Sequence, residues 1–578
     1  MRLHGWMCLV ALTAAAGAGG AGAGCSSGSA APSTFLTREE MLSPTRCANC
    51  HQNHFNDWLG SMHAQAADDP VFIAMNKRGQ RETDGGLGTF CVKCHAPMAV
   101  RDGVTKNGLN LADLPDYYKG VTCFFCHSID SVGVEHNNAS VNLSDDLVMR
   151  GEYSDPVANP AHASAYSTFH DDQQRDNATM CGSCHDIASP AGGHIERTFL
   201  EWSNSAFSQH DGGDTCSAGG CHMTKLGVPI PIALGGPKRN FHAHNFPAVD
   251  ISLQTSTEQA TSGPGTLAEG GETDGTSPTD ATSAAEGGEP TDAGTSPQDG
   301  ASAADAGAPV DAAASGASPA DGGLPPGTVA VQNALNSTVL AGALCFAASG
   351  GIRVVLDTTG VGHQWPSGAA QDRRAWAEVI AYGDDGSVIY SSGVVPDGTP
   401  VTSTVMKDPD LWLLRDCMYD AQNKPVPNFW EAANTNGYEL PILKTFLRTD
   451  PAFYMSHVVQ SFPRDHSPLK SRPARITLRM RIQPVGLDVL NDLVASKDLD
   501  PSVVGKMPTF DVSLQGPGGG PGLPPPGGLV WTPASNDTTY TDTDQVPSTC
   551  AASPGFNPVQ AYPAQSAATC TPPTAASN

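Results

Sequence analysis

Basic residues are scarce in this chain. Its 578 residues include 32 lysines and arginines against 59 aspartates and glutamates, so the formal net charge is −27. Nucleic acids and anionic lipid headgroups carry negative charge themselves and are poor partners for so acidic a chain. The composition therefore predicts no nucleic acid partner.

Long apolar stretches are also missing beyond the N-terminus. Met1-Arg2 is a short basic start, an apolar run spans 6–16, and small residues fill 17–24. This segment is too short to span a bilayer and is typical of an export signal, so we expect residues 1–24 to be removed. No later stretch offers 18 consecutive apolar residues.

Cys25 follows the export signal. The sequence around it resembles the lipobox of bacterial lipoproteins, although Gly22 stands where Leu is usual. Acylation of Cys25 would anchor the protein to a membrane surface, with residues 25–39 as a tether. Plain cleavage of the signal is the alternative. Either way we expect a periplasmic or outer-membrane protein of a Gram-negative bacterium, with the cell surface as a further possibility.

Common catalytic motifs are absent as well. The sequence shows no catalytic triad, no zinc-protease histidine pair and no glycine-rich loop between a strand and a helix that could cradle phosphate.

Cysteine, by contrast, is plentiful. Ten of the 16 cysteines form five pairs, and each pair is followed directly by histidine. The motifs are Cys47-Ala-Asn-Cys50-His51, Cys91-Val-Lys-Cys94-His95, Cys123-Phe-Phe-Cys126-His127, Cys181-Gly-Ser-Cys184-His185 and the longer Cys216-Ser-Ala-Gly-Gly-Cys221-His222.

This spacing predicts covalent attachment of haem c. Two thiols one helical turn apart can form thioethers with one porphyrin, and the next residue, histidine, can ligate its iron. Zinc knuckles and a disulfide framework also use paired cysteines, but neither needs a histidine after every second cysteine. We therefore expect five haems, with the ten cysteines as attachment sites and the five motif histidines as iron ligands.

Further histidines are available as second axial ligands. The segment from His51 to His63 has apolar residues at helical spacing and predicts a helix. Twelve residues of helix span about 18 Å, whereas two nitrogens on one iron lie about 4 Å apart. His63 therefore cannot complete the iron that His51 holds, but it can reach a neighbouring one.

Several motifs resemble those of the secreted multihaem cytochrome c family, whose members include tetrahaem cytochromes of ammonia oxidisers and hydroxylamine oxidoreductase. The resemblance covers about 44–247. It rests on Ser61-x-His63 after the first motif, Lys119-Gly120-Val121 before Cys123, and Glu196-Arg197-Thr198-Phe199-x-Glu201-Trp202 before Cys221-His222-Met223.

The resemblance implies which histidines are distal ligands. By position they are His63, His162 and His244, with His170 and His194 as the next choices. His242 competes with His244, from which it is two residues away. The chain offers few residues per haem between Cys47 and His244, so the porphyrins must form most of the core, and we expect a mainly α-helical and irregular domain over 40–247.

A low-complexity segment follows. From about 258 to 327 the chain is almost entirely Ala, Gly, Ser, Thr, Pro, Asp and Glu. Such a composition cannot bury enough apolar surface to fold, so we expect a disordered linker over 248–327, acting as a spacer or as a searching tether.

The rest of the chain changes to β-type patterns. The stretches 352–356, 376–382 and 475–482 are rich in β-branched and alternating residues, and Gly383-Asp-Asp-Gly386 predicts a hairpin turn. We expect an antiparallel β-sandwich-like domain over 328–535 and a loosely ordered tail over 536–578. Of the cysteines outside the motifs, Cys550 and Cys570 form the simplest expected pair.

His363 has two interpretations. It lies in Gly362-His363-Gln-Trp-Pro366-Ser-Gly368, which resembles a motif of β-domains attached to secreted multihaem cytochromes. It either caps a haem from the β-domain or makes a structural hydrogen bond in a loop, and the sequence favours the structural role.

These observations favour a non-enzymatic protein that carries electrons between redox partner proteins in the cell envelope, through mostly bis-histidine haems. One alternative is a reductase or oxidase of a small nitrogen or sulfur compound at one open haem, for which the unusual fifth motif is the expected place. Another is a surface-binding protein in which the haems only relay charge.

Overall fold

The computed structural model describes residues 35–210, 213–218, 221–254, 327–337, 340–347, 349–358, 360–447, 449–515, 528–533, 559–560 and 570. The predicted signal peptide, Cys25, nearly all of the predicted linker, Cys550 and most of the predicted tail lie outside these residues. No helix in the described ranges is long and apolar enough to cross a membrane.

The first region, 35–254, consists of short helices joined by loops. Most helices are ended within two turns by glycine, proline or a cysteine motif, and the longest begins at Asp69, whose carboxylate caps it ahead of Pro70. The helices are α1 (Arg38–Leu42), α2 (Pro44–Ala48), α3 (Gln52–Leu59), α4 (Met62–Gln65), α5 (Pro70–Glu82), α6 (Val92–His95), α7 (Pro97–Arg101), α8 (Cys123–His127), α9 (Arg175–Gly182), α10 (Thr198–Ser203) and α11 (Ala206–Gln209), with 3₁₀ turns at Leu111–Asp113 and Asp116–Tyr118.

Four small two-stranded sheets complete this region. They pair β1 (Ile129–Val132) with β2 (Val141–Leu143), β3 (Val148–Gly151) with β4 (Ala163–Tyr166), β5 (Ile187–Ala188) with β6 (His194–Glu196), and β7 (Ile230–Pro231) with β8 (Lys238–Arg239).

The helix predicted from His51 to His63 is broken in two. Helix α3 ends at Leu59, Gly60 forms its C-cap, and Ser61 leaves the helical conformation to cap α4 with its hydroxyl. A serine that caps a new helix competes with continuation of the old one, which explains the break.

The second region is rich in strands, as predicted. The stretches at 352–356, 376–382 and 475–482 are all strands, and Gly383–Gly386 forms the turn between the second of them and the strand Val388–Ser392. The strands are β9 (Leu340–Phe346), β10 (Ile352–Asp357), β11 (Arg374–Tyr382), β12 (Val388–Ser392), β13 (Trp412–Leu414), β14 (Asp416–Tyr419), β15 (Asn434–Gly437), β16 (Val458–Phe462), β17 (Arg475–Gln483), β18 (Phe510–Val512), β19 (Leu514–Gln515), β20 (Leu529–Trp531) and β21 (Val559–Gln560). Helices α12 (Thr328–Ser337) and α13 (Leu487–Ala495) and 3₁₀ turns at Val401–Thr404, Phe429–Glu431, Pro451–Ser456 and Pro501–Lys506 accompany them.

Two larger sheets dominate this region. One has the order β19-β9-β10-β16-β21, and the other is built on β12-β11-β17-β18 with β13 and β20 alongside. Both sheets contribute buried side chains to one apolar cluster, including Val354 of β10 and Leu478 of β17. The pairings of β19 with β9 and of β21 with β16 are parallel, so the first sheet is mixed rather than purely antiparallel.

The disulfide near the C-terminus joins a different pair of cysteines from the predicted one. Cys570 is bonded to Cys417 of β14 and not to Cys550. The two Cα atoms lie 5.3 Å apart, and the bond packs against the buried cluster around Trp376. Because the pairing spans 153 residues of sequence, proximity along the chain could not have predicted it.

The two regions are in contact. Residues 249–254, which the sequence placed in the linker, pack between them: Asp250 forms an ion pair with Arg373 at 2.7 Å, and the Leu253 amide donates to Asp69. The side chains of Ile251 and Leu253 are buried in the cluster that holds both sheets. The ordered first region therefore extends several residues beyond the predicted boundary at 247.

Candidate functional site

Each cysteine motif forms one tight turn. The backbone N–H of His51, His95 and His185 donates to the carbonyl of the first cysteine of its motif, at 2.8, 3.3 and 3.0 Å. His222 does the same to Cys216 at 3.1 Å, despite the longer spacing. The fifth motif therefore makes the same type of backbone hydrogen bond as the others, from its histidine to its first cysteine, but across six residues rather than four.

All five motif histidines are oriented by a hydrogen bond at Nδ1. Four donate to backbone carbonyl oxygens: His51 to Ile232 at 2.7 Å, His95 to Ala66 at 2.8 Å, His127 to Arg150 at 2.5 Å and His222 to Pro247 at 2.9 Å. The fifth, His185, donates to the Glu196 carboxylate at 3.0 Å. A carbonyl can only accept, so Nδ1 carries the proton. Nε2 is then left as the metal-binding nitrogen, which is the usual arrangement around metal-ligating histidine.

Four of these histidines face a second histidine at nearly constant separation. Ring centroids lie 6.3 Å apart for His51 and His162, 6.2 Å for His185 and His63, 6.3 Å for His127 and His244, and 6.4 Å for His222 and His363. Two metal–nitrogen bonds of about 2 Å each and about 1.1 Å from each nitrogen to its ring centre give about 6.2 Å. The four pairs therefore fit one metal ion each.

Three of the second histidines are also in the protonation state that a metal needs. Burial lowers the pKa of His63 to about 3 and that of His244 and His363 to about 4. Neutral imidazole is the form that ligates metals.

His185 differs from the other motif histidines. Burial alone would lower its pKa, but the hydrogen bond and the negative charge of Glu196 raise it to about 9. The side chain is 51% exposed, and it lines the internal cavity described below. The Glu196 carboxylate therefore increases electron density on the His185 ring, which makes it a stronger donor at Nε2.

His95 has no opposing histidine ring among the described residues. Its ring packs instead on Phe72 of α5, with centroids 4.1 Å apart and planes within 10°. The motif of His95 is thus the only one of the five without a paired imidazole in the described part of the chain.

One continuous cavity of about 1760 Å³ joins the sites. All ten motif cysteines and all nine histidines of the five motifs and four pairs line it. Thiols of different motifs lie close together: Cys47 interacts with Cys123, Cys94 with Cys184, and Cys181 with Cys216. The fourth motif is therefore adjacent to the second and fifth, and the first to the third.

The disulfide and zinc interpretations fit this site poorly. All ten motif cysteines are free. Within the described ranges, the ligand atoms close enough to share an ion are those of Glu152, Asp172 and His242, and no cysteine is among them.

The other predicted distal histidines do not pair in this way. His170 stacks on His127 with ring centroids 5.1 Å apart, closer than His244, but its Nε2 lies 3.0 Å from the Cys126 carbonyl, so that nitrogen is engaged by the backbone. His194 is half exposed on β6, with its Nδ1 3.5 Å from Asp186. His242 contacts Glu152 at 3.1 Å, whereas its rival His244 faces His127.

His363 is the residue that sequence reasoning placed in a structural role. Its loop is held against the first region by Glu201, which accepts from the Gln364 amide at 3.2 Å and the Ser367 hydroxyl at 2.6 Å. Both partners belong to stretches singled out in the sequence, Glu196–Trp202 and Gly362–Gly368. The sequence did not predict that these two stretches contact each other, because they are far apart along the chain.

A comparison with protein-family models finds a cytochrome family in the N-terminal part of the chain. The family model described as cytochrome c554 and c-prime matches residues 46–128, a small part of the chain. This match supports haem c as the cofactor and a multihaem electron-transfer cytochrome as the kind of protein.

Among solved structures, the chain is similar to a penta-heme cytochrome c552 from Thermochromatium tepidum. The identity is 17% and the TM-score 0.46, over 83% of this chain and 100% of that one. No curated protein sequence is significantly similar to this chain.

Proposed function

We propose that this chain is a pentahaem c-type cytochrome that carries electrons in the bacterial cell envelope. The observation that carries the proposal is the set of four imidazole pairs, 6.2–6.4 Å apart, behind the attachment motifs. Bound haem c would supply a reversible one-electron couple at each site.

In this proposal the ten motif cysteines hold the porphyrins, and the five motif histidines ligate the irons through Nε2. His162, His63, His244 and His363 are the second ligands opposite His51, His185, His127 and His222. A catalytic metal needs an open coordination position. Paired imidazoles would fill both axial positions of an iron and leave none for a substrate. Such sites suit electron transfer.

The chain also shields and links the sites. Apolar residues such as Phe124 and Phe125 are buried beside the motifs and exclude water. Cys126 of the third motif also lies near Cys181 and Cys184 of the fourth. The adjacency of the motif cysteines supports a branched order in which the first, third and fourth haems follow one another, and the second and fifth both adjoin the fourth. His63 adds a further link, because it follows the first motif and faces His185 of the fourth.

The β-rich region has a direct role in this proposal. It supplies His363, which completes the fifth site from outside the motif region. We infer that this region fixes the fifth haem and is more than a spacer or an adhesive module. Its two larger sheets, which share one core, are proposed to form a sandwich.

A second function is favoured by a specific observation. His95 lacks an opposing histidine in the described ranges, so its iron is the candidate for an open position. A reductase or oxidase of a small nitrogen or sulfur compound would act there rather than at the unusual fifth motif. The His222–His363 pair supports placing the open iron at His95 rather than at the fifth motif.

Export and lipid attachment at Cys25 remain part of the proposal. They rest on the N-terminal sequence alone, and covalent haem attachment of this kind belongs outside the bacterial cytoplasm. The partners would be redox proteins of the same compartment.

Transient and steady-state kinetics test the proposed function. The haem-loaded chain should be reduced by dithionite and reoxidised by a soluble electron acceptor at every site, with no catalytic turnover of nitrite, hydroxylamine or sulfite. Sustained turnover of one of these compounds would favour the second function. An absence of haem reduction would contradict both.

A further inference from the structure

The hairpin that covers the first motif is unusually exposed and apolar. It spans 226–239 and contains β7 and β8. Exposed fractions are 42% for Leu226, 66% for Val228 and 81% for Leu234. Apolar side chains that project from a surface in a group, and not singly, are a mark of interaction sites.

This hairpin lies directly against the first motif. Its Ile232 carbonyl accepts the Nδ1 proton of His51 at 2.7 Å, and its Leu234 amide donates to the Cys50 carbonyl at 2.8 Å. Cys50 itself is exposed. The hairpin is therefore the part of the surface that borders the first proposed haem.

A second loop borders the same site from the opposite side. Residues 156–160 line the cavity just before His162, the proposed second ligand opposite His51, and Val157 is 49% exposed. Arg239 of β8 joins the two loops, because it pairs with Asp155 at 2.6 Å and stacks over Tyr153 at 4.4 Å. The two loops form one rim around this end of the cavity.

The charge of the rim is opposite to that of the whole protein. Residues 215–249 contain Lys225, Lys238 and Arg239 and no aspartate or glutamate, in a chain of net charge −27. Lys225 and Arg239 are partly neutralised by Asp172 and Asp155, whereas Lys238 is exposed. An acidic partner meets no carboxylate on the hairpin itself and is attracted by the exposed Lys238, which favours docking in one orientation.

Prolines restrain part of the hairpin. Pro229, Pro231 and Pro237 restrict its backbone, and β7 pairs with β8 through Ile230 and Arg239. A restrained segment loses less conformational entropy when a partner binds.

We propose that the 226–239 hairpin, together with the 156–160 loop, is the docking surface for an acidic electron-transfer protein whose cofactor edge lies in an apolar patch ringed by carboxylates. This inference rests on the proposed function. With haem bound, this surface would bring the reduced partner close to the first site, where one electron would pass from the partner, which is oxidised, to a ferric haem, which is reduced, with no proton or bond transferred.

Stopped-flow reduction of the full haem-loaded chain tests this surface, with a reduced, acidic plant-type [2Fe–2S] ferredoxin as the probe. Val228→Ser and Lys238→Glu should each lower the second-order rate constant about fivefold, since rim charges and apolar contacts act mainly on association. Neither side chain lines the haem cavity, so reduction by dithionite should not change. Met406→Ser and Lys407→Glu are matched controls in the β-rich region, where Met406 is 87% exposed, and should have less than a twofold effect.

Unchanged rates for V228S and K238E with ferredoxin, or equal slowing in the controls, would overturn the docking surface while leaving the proposed function intact. So would sedimentation velocity showing a dimer of the unmodified chain that V228S dissociates, because a second copy would then cover the hairpin. Failure of dithionite to reduce the haems would instead overturn the proposed function, and the surface with it.

Discussion

The imidazole rings of His222 and His363 lie 6.4 Å apart and within 17° of parallel, although they belong to different regions of the chain. Each ring donates a hydrogen bond from Nδ1, to the carbonyl oxygen of Pro247 for His222 and of Gln364 for His363. The two regions are therefore joined at a proposed haem as well as through ordinary packing.

His363→Ala should convert one haem from low-spin to high-spin, because its iron loses the second imidazole. The measurement is low-temperature EPR of the oxidised, haem-loaded protein, and added imidazole should restore the low-spin signal. His466→Ala is the matched control, since His466 is an exposed histidine of the same region. An unchanged spectrum for H363A would return His363 to the structural role that the sequence favoured.

Glu196→Gln should raise the reduction potential of one haem. The carboxylate beside His185 Nδ1 stabilises the more positive, oxidised iron through the ring, and the neutral amide does so less. We expect a rise of about 50–100 mV, since about 59 mV corresponds to a tenfold change for one electron. Spectroelectrochemical titration measures it, with the exposed Glu135→Gln as control. A shift below about 20 mV would show that Glu196 does not act on the metal.

Glu201 should make the interface between the regions sensitive to pH. Burial raises its pKa from 4.5 to about 7, so between these values the folded protein binds a proton that the unfolded chain has released. The unfolding free energy should then fall as pH rises from 4.5 to above 7, by about 1–3 kcal/mol. Arg197, at 3.6 Å, partly offsets this loss.

Glu201→Gln should remove much of this pH dependence, because glutamine does not ionise and its oxygen can still accept from Gln364 and Ser367. Urea titrations at pH 5 and pH 8 measure the effect. The exposed Glu431→Gln is the control and should retain the unmodified pH profile. A profile for E201Q identical to that of the unmodified protein would assign the dependence to other groups, such as Asp372, whose pKa is raised by burial to about 7.

The Cys417–Cys570 disulfide should stabilise the β-rich region by about 2–4 kcal/mol, because it restricts the unfolded chain. Cys417→Ala with Cys570→Ala should lower the midpoint of thermal unfolding monitored by far-ultraviolet circular dichroism. The Soret spectrum of the haem sites formed by residues before 254 should change little. Equal stability of the double variant would mean that the bond contributes nothing to this region.

The sequence was sufficient for features that are local. Cys-x-x-Cys-His fixes a single turn, so attachment residues could be predicted without tertiary structure, and the strands at 352–357 and 475–483 followed from their alternation. The twelve-residue spacing also excluded His63 as the partner of His51, and the structure places it opposite His185.

Features that depend on long-range packing were not predictable in this way. His170 and His194 are as close in sequence to a motif as His162 is, yet one faces a backbone carbonyl and the other lies half exposed on a strand edge. His363 lies beyond a long low-complexity segment, and only the fold brings it to His222. The same holds for Cys417 and Cys570.

The most direct test of the central claim is haem quantification by pyridine haemochrome combined with low-temperature EPR of the oxidised chain. We expect five haems per chain, with four bis-histidine low-spin sites and a distinct fifth site at His95 that binds cyanide. Fewer than four low-spin haems, or a haem count below five, would contradict the four imidazole pairs as iron ligands and with them the proposed electron-transfer function.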